Sequence, residues 1–179
     1  MHRRLFLGLM AALPFGAAAR AAGAHDFTFE AIEGGDLPMS RFAGHPVLVV
    51  NTASFCGYTP QYNGLQALYD RYRERGLVVL GVPSDDFGGQ EYDNAGQVKE
   101  FCEVNFAIDF PMTDITRVRG ADVHPFYAWA REVLGAGKAP SWNFHKYLIG
   151  PDGAAVDAFA TRVRPDAPEL VMAIEALLD

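Results

Sequence analysis

The chain is poor in cysteine: across 179 residues, Cys56 and Cys102 are the only two. Two sulfurs cannot staple a disulfide-built miniature fold, and a chain this long can bury a core without them. Positive charge is also short. Fifteen Lys+Arg face 22 Asp+Glu, a formal charge of −7, which excludes a broadly basic surface and makes nucleic acid an unexpected partner. Low-complexity runs, repeats, charge blocks and linkers are missing, which excludes a disordered or fibrous chain and leaves residues 25–179 as a single domain. Metal-ligand spacing is missing as well: His124 precedes a helix, His145 lies in a strand run, and the two cysteines are far apart. No metal or other cofactor is expected.

What is present begins with a different kind of segment. His2, Arg3 and Arg4 form a cationic start, Leu5 to Ala19 an apolar stretch, and Ala22-Gly23-Ala24 a small-x-small site, with Ala19-Arg20-Ala21 competing. Residues 1–24 are therefore expected to be an export signal, with a periplasmic destination; Pro14 and Gly16 interrupt the stretch, so no stable membrane anchor is expected. The run Arg3-Arg4-Leu5-Phe6-Leu7 also resembles a twin-arginine signal. Residues 1–24 hold Arg3, Arg4 and Arg20 and no acid, so their removal lowers the formal charge by three, to −10. An exported chain meets an oxidising compartment, where disulfides persist.

In the body, strand and helix periods alternate. Val47-Leu48-Val49-Val50 is a continuous apolar run, as a strand buried on both faces requires. Tyr62, Leu65, Leu68, Tyr69 and Tyr72 follow at helical spacing up to Gly76, and Leu77 to Val82 is a second buried strand. A shorter helix carries Val98, Phe101, Cys102 and Asn105 on one face. His124-Pro125 opens another helix, through Phe126, Ala130, Val133 and Leu134. Phe144 to Ile149 and Ala154 to Phe159 read as a hairpin, and a last helix carries Leu170, Ala173, Ile174, Leu177 and Leu178, with Asp166 and Glu169 at capping-box spacing. A βαβ unit followed by a helix, a hairpin and a helix is the order of a thioredoxin-like α/β fold, a central mixed sheet flanked by helices.

Chemistry enters at Cys56, between the end of a buried strand and the start of a helix, where reactive groups collect in α/β sheets and where first-turn N–H groups stabilise an anion. Inert cysteines more often sit inside an element among apolar neighbours. Thr59 occupies the position that would complete Cys-x-x-Cys, so a single attacking thiolate is expected rather than a general dithiol oxidoreductase. Cys102, on the apolar face of a helix beside Phe101, has the placement of a core cysteine.

Four blocks carry a resemblance that spans the chain from about Phe27 onward. Val50 to Tyr62, containing Cys56, Leu80 to Glu91, Phe101 to Phe106 with Phe110-Pro111-Met112, and Trp142 to Ile149 together resemble the cysteine-type glutathione peroxidase family. The resemblance implies a thiol peroxidase that reduces hydrogen peroxide or organic hydroperoxides. It makes Cys56 the peroxidatic cysteine, with Gln90, Trp142 and Asn143 completing the catalytic set. These are neutral donors that can stabilise an anion without titrating. It also implies that Cys102 resolves the Cys56 sulfenic acid as a disulfide across 46 residues, after local unwinding of residues 95–106.

A thioredoxin-like protein is the implied reductant, with glutathione the alternative; no basic pocket motif for glutathione carboxylates is evident. The resemblance also implies a monomer, because the stretch between Leu134 and Trp142 is short where tetrameric relatives carry a long insertion. The second block departs from the family pattern: Ser84-Asp85-Asp86 stands where Cys-Asn-Gln is usual. The two carboxylates are expected to face solvent, since facing Cys56 they would disfavour its thiolate. A peroxide-responsive relay that passes oxidation to a partner remains as an alternative to turnover, and a non-enzymatic exported domain with one stabilising disulfide as another.

Overall fold

The computed structural model describes residues 22–178. Its centre is β3 (Val47–Thr52), every residue of which is buried. It pairs in parallel with β4 (Val78–Pro83) and antiparallel with β5 (Lys146–Ile149), which pairs antiparallel with β6 (Ala155–Phe159). The four-stranded order β4-β3-β5-β6 is the thioredoxin-like arrangement expected from the sequence.

Alternation along the central strands divides the core. Leu48, Val50 and Leu148 enter one cluster with α1 (Gln61–Tyr72), α2 (Ala95–Phe106) and α4 (Pro168–Leu178). Val47, Val49, Tyr147 and Ile149 enter the other, with α3 (Pro125–Leu134). A sheet covered on both sides explains why its strands read as continuous apolar runs.

The helices show their signals locally. In α1, Tyr62, Leu65, Leu68 and Tyr72 are buried, and Gly76 at φ 102° closes the extra turn that follows. His124 caps α3, its Nδ1 accepting from Phe126 N at 3.2 Å, and Pro125 stands at the first helical position. Asn94 caps α2, its side chain accepting from Gln97 N at 3.3 Å. At the far end of α2 the chain turns through Ala107 at φ 51°, where glycine is the usual residue.

Three expectations need correction, and one element is additional. The helix expected to be shorter, α2, has 12 residues, the same as α1. Val133, expected on the buried face of α3, is exposed, and Trp129 is buried instead. Asp166 does not cap α4: the helix begins at Pro168, Ala167 O accepts from Leu170 N and Val171 N, and the Asp166 carboxylate pairs with Arg164. A hairpin of β1 (Thr28–Glu30) and β2 (Asp36–Pro38) was not anticipated, because three-residue strands are too short to show a period.

The expected export signal falls mostly on residues 1–21, which lie outside the described residues. Residues 22–24 are docked. Trp129 Nε1 donates to Ala22 O at 2.9 Å, Ala24 N donates to Gly153 O at 2.8 Å, and Ala24 is fully buried. Among the described residues, no helix is long and apolar enough to cross a membrane.

Candidate active site

Cys56 lies in the turn between β3 and α1, and the turn is held by Thr59. The Thr59 hydroxyl accepts from Cys56 N at 3.0 Å and donates to Ala53 O at 2.8 Å, while Thr59 N donates to Cys56 O at 3.0 Å. The residue that replaces a second cysteine is thus a strut. Cys56 is 7% exposed and its thiol is free, yet its neighbours Phe55 and Tyr58 stand out into solvent. The sulfur therefore sits just under an aromatic surface.

The amide that meets Cys56 Sγ, at 3.4 Å, is Tyr58 N. This corrects the expected source of anion stabilisation. The N–H groups of Gln61, Tyr62 and Asn63 already donate to Tyr58 O, Thr59 O and Pro60 O, so the turn before the helix supplies the donor rather than the helix itself.

The structure brings Gln90 and Asn143 together and connects both to the turn that carries Cys56. Asn143 Nδ2 donates to Gln90 Oε1 at 3.2 Å, and Phe55 N donates to Gln90 O at 2.9 Å. With its carbonyl engaged, Gln90 keeps its Nε2 hydrogens for another acceptor. Gly88 and Gly89, both at positive φ, make the turn that brings Gln90 back towards Phe55. Trp142 is half-exposed, its ring 5.8 Å from that of Phe87, at the rim beside Asn143.

Several contributors were not singled out from sequence. Asn51, at the end of β3, donates from Nδ2 to Trp142 O at 3.1 Å and accepts Phe144 N on its own carbonyl at 2.6 Å. Glu91 is buried beneath the turn, its Oε1 accepting from Ser54 N at 3.3 Å and Tyr92 N at 2.9 Å. Burial pushes its carboxyl pKa up, opposed by those hydrogen bonds. A polar residue at a strand end was the available signal for Asn51; none marks Glu91 as buried.

Cys102 lies fully buried in α2, within the same apolar cluster as Cys56. Burial pushes its thiol up to about 12, with the Tyr62 hydroxyl opposing. Both free sulfurs are buried, Cys56 in a turn and Cys102 within a helix, and aromatic rings bridge their elements. Phe55 lies 4.6 Å from Tyr92 and 6.2 Å from Phe101, which neighbours Cys102 on α2.

The expected solvent exposure of the paired acids fails for one of them. The Asp86 side chain is only 7% exposed; it accepts from Arg117 Nη1 at 2.8 Å, Val118 N at 2.7 Å and Arg119 N at 3.1 Å. Arg117 also binds Asp85 at 2.9 Å. The two carboxylates share a guanidinium and are directed towards the Arg117–Arg119 segment. Burial lowers the His145 pKa to about 4, with Lys146 adding to the effect. Among the described residues, no cluster of His, Cys, Asp and Glu could hold a metal.

A groove of about 620 Å³ begins at Gly57 and Tyr58 and runs between α1 and the 162–166 segment. Pro60, Ala67, Leu68, Pro165 and Val171 give it apolar walls, and Arg71, Arg162 and Arg164 line it as well. Asp166 lines it too and pairs with Arg164, and Arg71 pairs with Glu175; Arg71 and the 162–164 segment, more than 90 residues apart in sequence, meet there only through the fold.

The family model described as Glutathione peroxidase matches residues 24–131. Hydroperoxy fatty acid reductase gpx1 of Synechocystis sp. is 38% identical over 162 residues, covering 86% of this chain and 95% of the relative. The crystal structure of T. cruzi GPX1 superposes with a TM-score of 0.70 at 30% identity, over 88% of this chain and 97% of that one. A thioredoxin family thiol:disulfide interchange protein from Chlorobium tepidum, at 14% identity and a TM-score of 0.64, covering 91% of this chain and all of that one, shares the fold. The chain belongs to the glutathione peroxidase family and is a peroxidase.

Proposed function

We propose that Cys56 attacks the terminal oxygen of hydrogen peroxide or an organic hydroperoxide, giving water or an alcohol and a Cys56 sulfenic acid. Gln90, Asn143 and Trp142 supply neutral donors to the thiolate and to the departing oxygen. The observation that carries this reading is the chain Phe55 N to Gln90 O and Asn143 Nδ2 to Gln90 Oε1, which couples two neutral amides to the turn bearing the Cys56 thiol. Cys102 then condenses with the sulfenic acid, water leaves, and an external thiol reduces the disulfide. A thioredoxin-like protein or glutathione is the donor, the enzyme acts as a monomer, and residues 1–24 direct it to the periplasm. The docking of Ala22 and Ala24 supports a cut after Ala21 over one after Ala24, which the intact mass of the exported protein decides.

The test is peroxide consumption by the mature chain with thioredoxin and thioredoxin reductase, and separately with glutathione and glutathione reductase. Cys56→Ser is expected to abolish both, and retained turnover in that variant would end the reading.

The groove supports organic hydroperoxides with a carboxylate, a class in keeping with the fatty acid hydroperoxides named for the Synechocystis relative. Its apolar walls accept an acyl chain, and Arg162 can receive the acid. Arg162→Ala is expected to raise KM for such a substrate and leave hydrogen peroxide untouched; equal effects on both would exclude the groove.

The buried, poorly ionised Cys102 favours a second reading, in which a slow resolving step lets the sulfenic acid pass oxidation to a partner. Cys102→Ser would then trap a mixed disulfide with that partner while turnover stays slow.

A further inference from the structure

Behind Asn143 lies a polar network that the peroxidase chemistry does not use directly. Phe144, the next residue, has φ 61°, a left-handed conformation that a bulky residue adopts only when its surroundings impose it. Its N–H is held by Asn51 O at 2.6 Å, and its carbonyl accepts from Lys146 Nζ at 2.7 Å. Lys146 also donates to Gln61 Oε1 at 2.8 Å. Gln61 Nε2 donates to Thr161 O at 2.7 Å, and Thr161 Oγ1 donates to Asn143 O at 2.8 Å. The network starts at the Phe144 carbonyl and ends at the Asn143 carbonyl, joining α1, β5 and the segment after β6 around this one turn.

Lys146 is fully buried, and no salt bridge reaches it among the described residues. Burial accordingly lowers its pKa to about 7. An apolar side chain of the same length would fill the space without that desolvation penalty. Packing alone therefore gives no reason for an amine here, whereas two oriented donors at the back of a left-handed turn do.

We infer that Lys146, Gln61 and Thr161 form a positioning clamp: they hold the Asn143–Phe144 peptide in its left-handed turn and so set the Asn143 amide against Gln90 for the oxidation of Cys56. The inference rests on Asn143 serving that step. Lys146 touches no reacting atom and acts through Asn143.

The experiment is a double-mutant cycle read by single-turnover oxidation of the reduced full chain with hydrogen peroxide, with thiol reduction of the oxidised chain timed separately. Lys146→Met and Thr161→Val should each slow the oxidation step, Lys146→Met by roughly tenfold, and leave the reductive step unchanged. In an Asn143→Ala background neither should slow oxidation further. If Lys146→Met does not fold, Thr161→Val, which keeps shape and removes one hydrogen bond, and Gln61→Met carry the same cycle. Additive losses in the double variants, or equal slowing of both half-reactions, would overturn the clamp. If Asn143→Ala leaves oxidation at the parent rate, the site reading fails and the clamp with it; if Asn143→Ala is slow and the clamp variants are not, the clamp alone fails.

Discussion

Formation of the Cys56–Cys102 disulfide should be limited by opening of α2, and the helix caps give a way to measure this. In the closed helix the Cys102 thiol is pushed from 9 up to about 12 by burial. The thiolate fraction at neutral pH is then about a thousandfold lower than for a solvated thiol. Attack on the sulfenic acid requires thiolate, so it should proceed through a minor, unwound state. Asn94→Ala removes the cap on Gln97 N, at a cost of about 1 kcal/mol, which raises the population of the open helix by roughly fivefold.

Ala107→Gly acts at the other end, relieving a left-handed alanine at φ 51°. The gain is about 0.5–1 kcal/mol once the greater freedom of glycine in the open state is set against it. After one equivalent of peroxide, alkylation quenched at timed intervals and read by mass should show the disulfide forming roughly fivefold faster in Asn94→Ala. In Ala107→Gly it should form about two- to fivefold more slowly. Neither substitution touches a cysteine. Unchanged rates, or rates that move in the opposite sense, would refute resolution through helix opening, and a stable Cys56 sulfinic acid with no disulfide would refute resolution by Cys102 altogether.

Three further outcomes follow from the contacts described. His145 has a folded pKa of about 4 against an ordinary 6.5, and Lys146 about 7 against 10.5. Both are depressed, so the unfolded chain binds more protons and stability should rise with pH from 4 to 6.5, by up to about 3 kcal/mol from His145, and again above 7 from Lys146. Urea titrations should show His145→Gln flattening the first limb and Lys146→Met the second, and parent-like slopes in both would contradict the assignment.

Thr59→Val should cost about 1–3 kcal/mol by leaving Cys56 N and Ala53 O without their partner, and should slow peroxide reduction. Thr59→Ser should recover most of both, and failure of that rescue would dismiss the strut. A chain beginning at His25 loses Ala22 O, the acceptor for the Trp129 indole, and the buried Ala24. It should melt below a chain beginning at Ala22 by about 2–4 °C for each kcal/mol lost; equal Tm values would show that the docking contributes nothing.

What could be read in advance depended on whether a residue's role was local. The runs Val47–Val50 and Leu77–Val82 and the spacing of Tyr62, Leu65, Leu68 and Tyr72 announce themselves because each element is buried in a simple pattern. The position of Cys56 between a strand and a helix was legible from the apolar run before it and the helical spacing after it. Thr59 was noticed only as a missing cysteine, since its two hydrogen bonds exist only once the turn is formed. The burial of Asp86 depends on donors from Arg117, Val118 and Arg119, some 30 residues on, and aspartates are usually solvated. The groove arginines stand on segments that only tertiary packing brings together. The sequence does carry a signal for Lys146: alternation puts it on the same side of the run as Phe144 and Leu148, both buried.

The hydroxyl of Thr59 has an evolutionary consequence. It places a side-chain heteroatom against the backbone of Cys56, three residues away and in the same turn. A single Thr59→Cys change would write Cys-x-x-Cys into this scaffold while removing the fastening of the turn. Peroxidase and dithiol exchange chemistry are therefore neighbours in sequence space here, separated by one residue whose loss would have to be answered by new support for the turn before the second sulfur could be of use.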